Sequence, residues 1–269
     1  MSRNKNRVAQ APVPAAAPQE PAASPFNFVV PTEMVDIPSE GKYYSEDHPL
    51  HGADSIEIKH LTAKEEDILT SQSLIKKGLA INKVLESIIV DKRIKVDDLL
   101  IGDKNALVIA SRIYGYGPDY NVNLTCPACE SEFKATIDLN SFKSKQIELN
   151  DQIQKTEDNT FVITLPKSEF VLEFKLLTSK DETMISKETK KGTTNLLKLI
   201  IVSINGQTDG FYIDRALQAL PILDASVLKK VYSAVMPDID MTCEVECSVC
   251  GEESQMEVPL TAEFFWPNL

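Results

Sequence analysis

Two stretches of this chain each set a pair of cysteines three positions apart between strand-like runs: NLTCPACESEFKATIDL from Asn123 and EVECSVCGEESQMEVPL from Glu244. Zinc takes four thiolate or imidazole ligands in a tetrahedron, with Zn–S near ~2.3 Å. One CxxC turn supplies half of such a set. A chain with two of them either brings the turns together or leaves two half-built sites. The spacing predicts one shared site, made by Cys126, Cys129, Cys247 and Cys250 and holding one structural Zn2+ per chain. Four thiolates leave no open position for a reacting water, which argues against catalysis at the metal. Redox dithiols are a competing reading, but thioredoxin-type pairs sit at a strand-to-helix junction, and these lie between strands. Four inert buried cysteines are another. The fifth cysteine, Cys243, falls on the strand before the second turn and reads as a small core hydrophobe.

The surroundings of the two turns also recur. IEIKHLTAKEEDIL begins at Ile56 and LEFKLLTSKDETMI at Leu172. Each reads as a strand ending in Leu-Thr, then a helix. Thr62 with Glu65 is a capping-box pattern, and Thr178 with Asp181 is a shorter-armed version of it. Apolar helical stretches follow, Leu79 to Val90 and Leu196 to Ile204. Then come amphipathic helices with Asp103 and Asp224 expected at their N-caps. A Pro-Asp step, a strand, the CxxC and a second strand close each set. The spacing between the sets is 116 residues at the threonines (62 to 178) and 121 at the cysteines (126 to 247), which a small loop difference absorbs. The expected fold is therefore α+β: two internally repeated halves, each with a strand, helices and a CxxC β-hairpin, around a shared zinc-ribbon-like site. The halves are placed at 56–142 and 143–262.

Around them lie an Ala/Pro-rich arm over 1–30, expected to be disordered because proline denies backbone donors, and an irregular lead-in over 31–55 with Tyr43 and Tyr44 as anchors. An aromatic tail over 263–269 carries Phe264, Phe265 and the only tryptophan, Trp266. These three either fold back into the core or dock on a partner, as aromatics at binding hot spots do.

With 40 acidic against 28 basic residues the net charge is -12, the wrong sign for a protein whose affinity would come from neutralising phosphates. A zinc-ribbon nucleic-acid or regulatory module would carry Lys and Arg at its knuckles. Here Glu130, Glu132, Glu244, Glu246, Glu252 and Glu253 stand there instead. No apolar run reaches the length of a membrane span, and no signal peptide is read, so the chain is expected in the cytosol, where thiols stay reduced. His48, His51 and His60 form no acid–base constellation, and nucleotide and nucleophile motifs are missing. The expectation is an interaction protein without an active site.

The block GKYYSEDHPLHGADSIEIKHLTAKEEDILTSQSLIKKG from Gly41, then VDDLLIGDKNALVIASRIYGYGPDY, CPAC and the late FFWP, resembles the baseplate hub assembly proteins of T4-like contractile-tailed bacteriophages. The resemblance spans roughly 40 to 266. It implies a hub protein or hub assembly factor of tail morphogenesis, whose partners are other baseplate hub, tail tube or tape measure proteins. It implies no catalytic residues; the charge and the short apolar runs already argue against nucleic acid and membrane, and no small-molecule substrate is expected. The expected location is the host cytoplasm during assembly, or the tail baseplate of the virion.

Overall fold

The computed structural model describes residues 29–145, 147, 152–187, 193–258 and 264–265. Most of the expected arm, and Trp266, therefore lie outside the described residues. By its contacts the chain divides into Met1–Val30 and Pro31–Leu269, and the elements below belong to the second unit.

The architecture is mixed α+β, as expected. β1 (Thr32–Asp36) pairs antiparallel with β2 (Ser55–Lys59). The lead-in thus opens on a strand, contrary to its irregular reading. Only Val35 of β1 faces the core, so the strand is held by its β2 ladder and leaves no period-two signal in the sequence. α1 (Ala63–Leu69), α2 (Gln72–Lys76) and α3 (Ala80–Ile88) follow. Thr62 caps α1, and its N–H donates to the Glu65 carboxylate at 3.0 Å, the reciprocal bond that satisfies an otherwise orphaned donor. α3 buries Val84, Leu85 and Ile88, each worth ~1.5–3 kcal/mol of transfer free energy.

α4 (Ile101–Tyr116) leads into the hairpin of β3 (Asp119–Thr125) and β4 (Glu132–Asp138). Alternation along β3 sends Tyr120, Val122 and Leu124 inward. β5 (Lys143–Ser144) comes next, then β6 (Gln154–Lys155), β7 (Phe161–Thr164) and β8 (Val171–Phe174). α5 (Ser179–Lys187) and α6 (Thr193–Ile200) run into β9 (Ile201–Ile204), and β6-β7-β8-β9 form an antiparallel sheet. The apolar run ending at Ile204 is therefore helix only to Ile200. Its β-branched end, Ile201-Val202-Ser203-Ile204, pairs with β8, where branched side chains pack well. α7 (Gly210–Gln218) and α8 (Ile222–Val235) precede β10 (Ile239–Asp240) and the hairpin of β11 (Thr242–Glu246) and β12 (Glu253–Glu257).

Several local arrangements recur. Asp181 accepts from the Thr178 N–H at 3.0 Å, as Glu65 does from Thr62, and Lys175 braces it at 3.0 Å. Asp103 and Asp224 are not N-caps. Leu100 and Pro221 hold those positions, and both carboxylates sit one turn in, fully buried. Each reaches across to the loop after a strand. Asp103 accepts from the Ser39 N–H (2.9 Å), the Ser39 hydroxyl (2.6 Å) and the Tyr44 hydroxyl (2.6 Å). Asp224 accepts from the N–H groups of Lys167 (3.0 Å) and Ser168 (2.8 Å). A glutamate with positive φ stands in each loop, Glu40 and Glu169.

α4 is the bar on which both hairpins are rooted. At its start Gly102 lies against the backbone of Pro237, where an added Cβ would stand 1.9 Å from the Pro237 carbonyl oxygen. Asn105 donates to Asp238 at 3.1 Å. At its end the buried Arg112 donates to the carbonyls of Gly117 (2.6 Å), Asp119 (3.0 Å) and Phe264 (2.7 Å). Gly102→Ala forces two backbones apart. It is expected to cost ~1–3 kcal/mol, the scale of overpacking a tight core, seen as a lower urea midpoint with an unchanged slope. An unchanged midpoint would mean this contact does not seat the second hairpin.

Candidate metal centre

The two CxxC turns have the same backbone construction. Between the terminal pairs Thr125–Glu132 and Glu246–Glu253, the Cys126 N–H donates to the Ser131 carbonyl (3.0 Å) and the Glu130 N–H to the Cys126 carbonyl (2.9 Å). In the second turn the Cys247 N–H donates to Glu252 (2.9 Å) and the Gly251 N–H to Cys247 (2.8 Å). The residue after each second cysteine, Glu130 or Gly251, takes the left-handed conformation, φ 57° and 76°. Glycine does so without steric cost; glutamate accepts some. The amides of Ser131 and Glu252 point at the sulfurs of Cys129 and Cys250.

These turns meet. β5 pairs with β10, and the Lys145 N–H donates to the Asp238 carbonyl at 2.8 Å. The entry to the second hairpin is thereby tied to the exit of the first. Cys126 Sγ lies 3.7 Å from Cys250 Sγ, and Cys129 Sγ lies 3.8 Å from Cys247 Sγ. All four sulfurs fall within 4.8 Å of one another. With metal–sulfur bonds of ~2.3 Å the edge of a tetrahedron is about 3.8 Å, so the four thiols are spaced for one tetrahedral cation. Cys126 and Cys247 are buried, Cys129 is half-buried and Cys250 is exposed.

Electrostatics in the set are those of crowded thiols. The Ser131 amide and hydroxyl, helped by neighbouring thiols, bring Cys129 down to about 6. At Cys250 the Glu252 amide acts downward, but Cys129 and the other sulfurs keep the proton on and push the thiol up to about 12. One thiolate is welcome in the cluster, and further ones repel. A cation at the centre would reverse that balance, because a coordinated thiol is deprotonated. Tetrahedral S4 donor sets suit zinc or iron.

The sequence singled out these four cysteines, and the structure brings them together. Cys243 is half-buried against the core and stands apart from the set. Phe264 and Phe265, the described residues of the aromatic tail, do not stand out as docking anchors. Phe264 and Phe265 are 1% and 2% exposed, Phe264 packs edge-on to Tyr120 at 5.1 Å, and Arg112 holds its carbonyl. These two rings fill the chain's own core, because burying aromatic surface against Tyr120 is available without a partner. Two supporting groups were not legible in the sequence: Ser131, which reads as an ordinary turn serine, and Arg112, whose role depends on carbonyls brought together only by the fold.

Among the described residues no helix is long and apolar enough to cross a membrane. The six glutamates flanking the turns are all exposed, so the knuckle face is acidic. The family model described as "T4 bacteriophage base plate protein" matches residues 31–266. Neither a curated protein nor a solved structure matches the chain.

Proposed function

The chain belongs to the T4 bacteriophage base plate protein family, and on that premise we propose that it is a hub protein or hub assembly factor. It acts through protein–protein contacts during tail morphogenesis, not through an active site. The family match over residues 31–266 carries this reading. In it, the two sets of elements are duplicated halves of one platform, and Cys126, Cys129, Cys247 and Cys250 hold a single structural Zn2+ that clamps them. The recurring caps, the two buried aspartates and the matching hydrogen-bond pattern of the CxxC turns support the duplication. The tetrahedral sulfur spacing supports the metal. Partners are other hub, tail tube or tape measure proteins, met in the host cytoplasm and in the assembling baseplate. Exposed glutamates around the knuckles disfavour nucleic acid, since they would repel phosphate.

A phage lacking this protein is expected to accumulate tail components without completed baseplates. A tagged copy is expected to co-purify with tail proteins and without nucleic acid. Normal baseplates in its absence, or DNA binding that survives physiological salt, would overturn the reading.

A further inference from the structure

The two halves meet through an asymmetric contact, and each half keeps the other side of that contact unused. At the contact, Leu99-Leu100-Ile101 ahead of α4 lies antiparallel to Leu177-Thr178-Ser179 ahead of α5, with Leu100 bridged to Thr178. The Ile101 N–H donates to the Leu177 carbonyl (3.2 Å) and the Ser179 N–H to the Leu99 carbonyl (2.8 Å). Leu99, Leu177 and Ser179 are buried by it. The buried aspartates put Leu220-Pro221-Ile222 in register with Leu99-Leu100-Ile101, since Asp224 follows as Asp103 does. The capping threonines put Leu61-Thr62-Ala63 in register with Leu177-Thr178-Ser179.

These two counterparts do not meet each other. Among the described residues the Ile222 N–H, the Leu61 carbonyl, the Ala63 N–H and the Leu220 carbonyl have no hydrogen-bonded partner. They are the four groups that the internal contact would use. Ile222 is 90% exposed and Leu223 50%, so two adjacent large apolar side chains stand in solvent at the start of α8. Thr62 and Ala63 are exposed as well. Proline at 221 is compatible with the bridge, which uses the N–H of the residue after it. Leu100 spends its own N–H on the Tyr44 hydroxyl instead, and proline has none to satisfy.

We propose that a second copy of this chain docks here, its Leu61–Ala63 edge on the Leu220–Leu223 edge of the first, by the contact that joins the halves internally. The inference rests on the duplication reading above. Such a contact is heterologous: each copy offers one edge of each kind, so copies line up head to tail, closing into a ring if the rotation allows and extending as a row otherwise. It is also thinner than its template. Lys104 and Glu182 pair across the internal contact at 2.6 Å, but Ala225 and Glu66 stand at their counterparts. Association is therefore expected to be reversible and concentration-dependent.

Sedimentation of the full chain over a wide concentration range tests this, with Ile222→Glu and Ala63→Glu as variants. Both changes place an acid in the first turn of a helix, which the helix dipole favours, so folding is preserved and is checked by melting temperature and metal content. The wild type is expected to form oligomers, and each variant alone to be monomeric. An equimolar mixture of the two variants is expected to form dimers and nothing larger, because each retains the edge the other lacks. A wild type that stays monomeric throughout, oligomers indifferent to both substitutions, or a mixture that does not pair would each overturn the proposal. One metal per chain bound through both CxxC turns, with no self-association, would leave the duplication standing and remove only this contact.

Discussion

Serine at Cys126 and Cys129 is expected to abolish metal binding, and serine at Cys247 and Cys250 is expected to do the same. Wild-type protein should carry about one zinc per chain by mass spectrometry. Half a tetrahedron of thiolates does not hold a structural ion against water, so neither turn should retain a fraction of it. Structural zinc contributes on the order of 10 kcal/mol or more of apparent free energy in small peptide domains, but the effect here should be local. The first hairpin is seated by Tyr120, Val122, Leu124, Phe133 and Ile137, all buried, with Arg112 at its root. The second has Val245 as the one buried side chain on its two strands. Loss of metal, by mutation or chelation, should therefore release β11 and β12 to hydrogen exchange well before β3 and β4, while the core around α3 and α4 stays protected. Two metals lost independently, or full binding after either double substitution, would break the shared-site assignment.

How far this was legible depends on how local the signal was. The caps at Thr62 and Thr178, the CxxC turns and the hairpin strands are each written within about ten residues, and each stands where the pattern puts it. The meeting of the two turns was inferred from ligand number, and the structure brings the sulfurs together. Longer-range features were misread or missed. Asp103 and Asp224 have N-cap chemistry, but their acceptors serve loops 64 and 56–57 residues away, which no local pattern reveals. β9 looked helical because it continues an apolar run without punctuation, and only its pairing with β8 decides it. Phe264 and Phe265 carried the composition of an anchor. Whether an aromatic pair docks inside or outside is decided by whether the core has room for it, and here Tyr120 and Arg112 supply the seat.

The two buried aspartates, equivalent by position, are expected to differ in weight. Asp103→Ala leaves the Ser39 N–H, the Ser39 hydroxyl and the Tyr44 hydroxyl without their acceptor inside a dry core. Each stranded buried donor costs roughly 1–3 kcal/mol, so a loss of ~3–5 kcal/mol is expected in equilibrium unfolding, the range for breaking a buried charged network. Asp224→Ala strands only the amides of Lys167 and Ser168. Lys167 is exposed and Ser168 half-buried, so water can replace the carboxylate, and the expected cost is ~1 kcal/mol. Their ionisation should differ in sign as well. Burial pushes the Asp103 carboxyl above its ordinary range despite the Ser39 and Tyr44 bonds. At Asp224 burial also acts upward, but the Ser168 and Lys167 bonds outweigh it and the carboxyl lies below that range. A carboxyl raised by folding gives stability that is complete below its unfolded pKa and declines as pH rises through the folded value; a depressed one gives stability that is lost as pH falls through the folded value. Asn cannot titrate. Asp103→Asn should therefore become less destabilising, relative to wild type, as pH rises above the ordinary carboxylate range. Asp224→Asn should become less destabilising as pH falls below it. Urea unfolding of both variants across that range reads the two slopes, and slopes of the same sign would show that three donors, not burial, govern the charge on Asp103.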